Sequence, residues 1–148
     1  DPKIEKNPDN KKLSLIQNLT LVMLFLCGLY IPTQFGYLSI LGLIFFFAGI
    51  MLNLFAIYSF RNVKKGIVTS GIYKISRNPM MLGYISLFIG LNLMGWDYLY
   101  LNLAFIILSA IHLISNLIGV IREEKFLEIK YKKQYQDYKN STPRFLFF

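Results

Sequence analysis

Two short stretches carry the residue types that could do chemistry. The first is Ser76-Arg77-Asn78-Pro79. Pro79 suits the first turn of a helix, where its missing N–H costs nothing. Arg77 and Asn78 then stand at that helix's N-terminus, where free N–H groups and partial positive charge favour a carboxylate or phosphate. A guanidinium adds a planar fork that matches such an anion. The second stretch is Glu123-Glu124, an acidic pair that suits a cation. Upstream of it, Ser109, His112, Asn116, Gly119 and Glu123 are spaced 3, 4, 3 and 4 apart, which puts them on one helix face. That face reads either as a polar path to the acidic pair or as helix–helix glue, with Ser, His and Asn bonding across a bundle and Gly allowing close approach. An anion corner and a cation corner on the same edge match a zwitterionic ligand. Beyond the pair, Phe126, Leu127, Tyr131, Tyr135 and Tyr138 give the tail one apolar face, as in an amphipathic helix lying on a membrane or on the loop, ending before Pro143.

The elements that position these residues are set by hydropathy and charge. The chain has 148 residues, of which 55% are hydrophobic and only 16% charged, with 13 Phe and 10 Tyr. Mean hydropathy is +0.46. A soluble domain of this size cannot hide that much apolar surface, and a disordered chain is excluded by the same numbers. One cysteine, Cys27, and one histidine, His112, exclude a disulfide framework and a multi-ligand zinc centre, so no metal is expected. No charge falls between Lys12 and Arg61, between Arg77 and Asp97, or between Asp97 and Arg122. A span needs about 20 mostly apolar residues. The parse is four spans, at about 13–31, 35–60, 80–96 and 98–121. They follow a disordered polar tail at 1–12 and precede a cytoplasmic tail at 122–148. Residues 13–148 form a single membrane-embedded domain.

All 16 Lys and Arg fall in residues 1–12, 61–78 and 122–148, and none in the two hairpin turns. Four spans place these three segments on one side, and basic residues mark the cytoplasmic side. Both termini and the loop are therefore expected in the cytoplasm of an integral membrane protein, in a prokaryotic inner membrane. The net charge of +8 is explained by topology and by anionic lipid, so no nucleic-acid partner is expected. No cleavable signal is expected, because 13–31 is too long for a signal core. Gly42, Gly49, Asn53 and Ala56 in the second span, and Gly83, Ser86 and Gly90 in the third, predict tight helix packing. Cys27 reads as a small core residue. Trp96, Tyr98 and Tyr100 read as an interfacial aromatic belt.

Taken together, Gly71-Ile72-Tyr73, Ser76-Arg77-Asn78-Pro79-Met80-x-x-Gly83, Glu123-Glu124-x-x-Leu127, Tyr135-x-x-Tyr138 and Thr142-Pro143-Arg144 form a pattern covering about residues 40–146. It resembles the membrane methyltransferases of the isoprenylcysteine carboxyl methyltransferase and phospholipid methyltransferase superfamily. The resemblance implies an all-α, multi-span fold with a cytosol-facing S-adenosylmethionine pocket, closed by the loop before the third span and by the tail. It implies that Arg77, Asn78, Pro79 and Gly83 take the family's Arg-His-Pro…Gly motif, and that Glu123 and Glu124 take its Glu-Glu motif. Asn78 stands where His is common, Met81 where an aromatic is usual, and Tyr131-Lys132 where Phe-Gly is usual. The expected cofactor-binding set is Tyr73, Arg77, Asn78, Pro79, Gly83, His112, Asn116, Glu123, Glu124, Tyr135 and Tyr138. Arg144 is a candidate for the substrate side, or a lipid-headgroup contact. The expected acceptor is a lipid or apolar small molecule with a carboxylate, amine or thiol, reaching the site between spans three and four. The alternatives are a non-catalytic membrane subunit or lipid-binding module, and a transporter fragment. The last is disfavoured because no span carries an interior charge.

Overall fold

The computed structural model describes residues 11–30, 36–61, 66–96 and 99–146. Among them the protein is all-α. It has four helices, α1 (Lys11–Tyr30), α2 (Tyr37–Arg61), α3 (Pro79–Met94) and α4 (Leu99–Ser141), with a 3-10 turn at Gly71–Lys74 between α2 and α3. Two of them, α2 and the Asn102–Ser141 part of α4, are long and apolar enough to cross a membrane. Apolar Lys12–Gly28 and α3 are shorter. The four-span expectation is thus met in full length by two helices. Pro79 and Gly95 bound α3 at 16 residues, about 24 Å at 1.5 Å per residue. Much of the outer surface is large and apolar, including Phe25, Phe47, Phe55, Tyr58, Ile107 and Ile114. Such a surface suits a membrane.

Two expected boundaries change. The polar tail expected at 1–12 gives way to helix at Lys11, and its earlier residues lie outside those described, as do most of the first turn, Asp97 and Tyr98. The tail after residue 121 is helical, but its helix starts later than expected: α4 runs on to a break at Lys132, whose φ is 42° and ψ −114°, and a second helical stretch follows to Ser141. The charges at 122–125 end the apolar run but not the helix, because Glu, Lys and Leu are all good helix formers.

The helices pack in antiparallel pairs. On α2 and α3 the small residues meet as the spacing predicts. A methyl group at Gly49 would stand 2.7 Å from the Gly83 carbonyl oxygen, and one at Gly90 2.6 Å from that of Gly42. The Asn53 amide lies against Gly83, and Ser86 Oγ donates to the Phe45 carbonyl at 2.7 Å. Between α1 and α4, Thr20 Oγ1 and His112 Nδ1 are 2.8 Å apart and Gln17 donates to the Ser115 carbonyl at 3.2 Å. Between α3 and α4, Phe88 meets Phe105 edge to face, with Leu24 of α1 beside them in the core.

Candidate functional site

The site is built where α3 begins, by the loop before it and the folded-back end of α4. The turn at Lys132 reverses the chain, so that residues after it return along the helix they left. Glu128 and Lys139, eleven positions apart, then meet at 2.5 Å, a gap that a straight helix would stretch to about 16 Å. The returning segment is stitched to the loop. Tyr138 donates its hydroxyl to the Tyr73 carbonyl at 2.7 Å. Arg77 N–H donates to the Pro143 carbonyl at 3.0 Å. Ser76 Oγ donates to the Arg144 carbonyl at 3.1 Å and accepts from Asn78 N–H at 3.2 Å. Asn78 is the residue before α3, Pro79 is its buried first residue, and the Asn78 carbonyl accepts from Met81 and Leu82. Asn78 Nδ2 lies 3.5 Å from the Arg144 carbonyl.

At the centre lies Glu124, 6% exposed. It pairs with Arg77 at 3.2 Å and with Arg144 through a two-pronged contact at 2.6 and 3.1 Å. Arg77 also reaches the Tyr135 hydroxyl at 3.5 Å. The two corners expected to hold opposite ends of a ligand thus hold each other. One buried donor of this cluster, Arg77 Nε, has no protein partner. Glu123 points the other way and is exposed, with no ion pair among the described residues. The protein crowding its flanks first, and the Glu124 charge second, raise its carboxyl above the ordinary range, while its open side keeps that effect solvent-screened. Burial, and then the Glu123 charge, push the Tyr73 hydroxyl up to about 12. Burial likewise raises Tyr135 and Tyr138, so all three stay neutral hydroxyls at physiological pH. The hydrogen bonds to Glu124 raise Arg144.

Seven of the sequence-derived candidates are therefore brought to one place: Tyr73, Arg77, Asn78, Pro79, Glu124, Tyr135 and Tyr138, with Glu123 at its rim. Three are not. Gly83 lies in the α2–α3 contact. His112 is 3% exposed, bonded to Thr20 and set edge-on to Tyr84 and Phe88. It stands eleven residues, about 16 Å, up the helix from Glu123. Asn116 donates to the carbonyl of His112 in its own helix. The bond of His112 to Thr20 fits the second of the two readings of that face, while Asn116 bonds within its own helix and His112 Nε2 is a buried atom without a protein partner. The face also turns: Glu124 rather than Glu123 points inward. Arg144, expected on the substrate side, is tied to Glu124. Sequence reasoning passed over Ser76, 1% exposed, and Thr142, 5% exposed. Both sit inside quoted motifs, and their short hydroxyl side chains beside Asn78 and Pro143 were the signal for a loop-to-tail seam.

Residues 35–134 match the family model for phospholipid methyltransferase. The chain belongs to that family. No curated protein and no solved structure matches it. Membership carries methyltransferase activity in general, and with the apolar helices it makes the protein a membrane-associated transferase.

Proposed function

We propose that the protein transfers a methyl group from S-adenosylmethionine to a lipid or apolar small-molecule acceptor bearing a carboxylate, amine or thiol, at the cytoplasmic face of the membrane. The observation that carries this reading is the joining of Arg77, Glu124 and Tyr135 in one buried cluster, made from the two segments that belong to the family pattern.

The residues present fit a zwitterion. Arg77 Nε is a buried donor without a partner, the kind of group that a ligand carboxylate satisfies. Glu123, next to Glu124 in the chain, is an exposed carboxylate suited to an ammonium. The donor supplies an activated methyl group, so the protein mainly aligns donor and acceptor and excludes water. Glu124 fixes the Arg77 guanidinium, and Tyr138 ties the tail over the loop. Tyr135, 2% exposed, closes the apolar side. In this reading all four helices cross the bilayer. The 16 residues of α3 are accommodated by local thinning, and the acceptor arrives from the lipid between α3 and α4.

The test is methyl transfer from labelled donor to total lipid and to small thiols, with purified protein in detergent. Label in an extracted acceptor is expected. The ion pairing of Arg77 and Arg144 with Glu124 favours one competing reading, a non-catalytic member that no longer binds the donor. A ligand that binds only the folded state raises its stability. A melting curve unmoved by millimolar S-adenosylmethionine would decide for the non-catalytic reading.

A further inference from the structure

At the break in α4, Glu128, Lys132, Lys133, Gln136 and Lys139 line a concave surface of about 500 Å³. Three lysines and one glutamate line it. Glu128 is taken up by Lys139, while neighbouring Lys130 lies over the Phe126 and Tyr131 rings. Lys132 and Lys133 remain exposed, with no partner among the described residues. Lys132 is also the one non-glycine residue described with positive φ. Glycine adopts such a backbone freely, whereas a side chain there is strained. The chain thus keeps an ammonium-bearing residue where glycine would relieve strain, in the lining of a basic hollow. Lysine binds phosphate as a point charge and needs no planar geometry.

We infer that the hollow lined by Lys132, Lys133, Gln136 and Lys139, with Glu128 held by Lys139, is a binding site for a phosphate group. The inference is independent of the methyl donor. The phosphate can come from a soluble compound or from an anionic lipid headgroup. Lys132 stands eleven residues past the end of the apolar run of α4, about 16 Å on a straight helix. The headgroup layer is only about 5–8 Å deep. A soluble phosphate reaches the hollow directly; a lipid phosphate reaches it when the helix leans onto the surface.

The experiment uses the full chain. In detergent, the melting midpoint is followed against inorganic phosphate at ionic strength held constant with chloride. In nanodiscs, it is followed with phosphatidylcholine alone and with added phosphatidic acid. The midpoint is expected to rise in one or both series, and the series that responds identifies the source. In Lys133→Gln the apparent affinity should fall tenfold or more, as for loss of a hydrogen bond to a charged group. Lys132→Gly should melt higher than wild type without phosphate, because the strain is gone, and yet respond more weakly to phosphate. This pairing separates an ammonium kept for binding from a side chain merely tolerated at the turn. A wild-type midpoint indifferent to phosphate and to phosphatidic acid overturns the inference. So does a wild-type-like response in both variants.

Discussion

Glu123 and Glu124 are chain neighbours, but helical geometry turns them about 100° apart, and that turn divides their roles. Glu124 is enclosed by Arg77 and Arg144, and its loss would leave the Arg77 guanidinium buried without a counter-charge. Removing one partner of a buried pair costs about 3–5 kcal/mol. Arg144 can reach solvent, its side chain being 36% exposed, so Glu124→Gln should lower stability toward the lower end of that range, measured by chemical unfolding. Glu123→Gln should behave oppositely. A carboxyl raised in the folded state stabilises the fold while protonated. That contribution is complete below its unfolded value and is lost as pH rises through the folded value. The variant should therefore match or exceed wild-type stability at neutral pH. If Glu123 receives the donor's ammonium, donor affinity should climb with pH through that raised value, and the climb should vanish in Glu123→Gln. A calorimetric pH series decides this, and an unchanged profile in the variant removes Glu123 from the site. Arg77→Lys keeps the charge but loses the fork. Loss of a charge-assisted hydrogen bond costs about 1.5–3 kcal/mol, so donor affinity should fall roughly tenfold to a hundredfold. Asn78→His should be tolerated, while Asn78→Leu should not. Near-wild-type affinity in Arg77→Lys would mean that the guanidinium only braces the tail.

The α2–α3 pair holds the loop that carries Arg77, and its closeness depends on the absence of side chains. In Gly49→Ala the new methyl would meet the Gly83 carbonyl oxygen and the Leu87 nitrogen, each at 2.7 Å. Both are backbone atoms, so the helices must part. Overpacking of this kind costs about 1–3 kcal/mol. Gly28→Ala on α1 meets nothing within 4 Å and serves as the control, with little change expected in melting midpoint. Equal midpoints for the two variants would refute the close contact. This contact was legible in the sequence, because small residues recur at one-face spacing in both helices. The loop-to-tail corner was legible too, through its motifs. The partner choice within it was not: sequence separates Arg77 from Glu124 by 47 positions and cannot show that the cationic and anionic corners touch. The polar face of α4 left two readings open, and the bond between His112 and Thr20 across the helices could not be read from the sequence. The break at Lys132 was hidden as well, since lysine favours helix. Its single trace was Tyr131-Lys132 in the place of a usual Phe-Gly, and the observed φ of 42° is what a glycine there would adopt without strain.

At the scale of the whole molecule, the helix registers bear on how the chain sits in the bilayer. Leu13, Gln17 and Thr20 run beside Gly119, Ser115 and His112, so α1 is antiparallel to α4. Gly42 and Gly49 run beside Gly90 and Gly83, so α2 is antiparallel to α3. Phe88 and Tyr84 meet Phe105 and His112, so α3 is antiparallel to α4. The start of α1, the end of α2, the start of α3 and the acidic pair of α4 therefore share one end of the bundle. The Lys and Arg residues of the described segments cluster at that end. Basic flanks stay cytoplasmic, and each charge moved to the far side would have to cross hydrocarbon at a cost of about 2.5–3.5 kcal/mol or more. Helices of alternating direction with the described cations at one end are what the proposed four crossings require. With two crossings, α1 and α3 would lie at the surface, yet α3 is pressed between α2 and α4 and carries the buried Phe88. Reporter fusions distinguish the arrangements. A reporter at Gln34 or Asp97 should be inaccessible from the cytoplasm, and one at Gly66 or Phe148 should be accessible. A cytoplasmic signal from Asp97 would mean that α3 and α4 do not cross as a hairpin. The corner formed by Arg77 and Glu124 would then lose the membrane edge through which an apolar acceptor is expected to arrive.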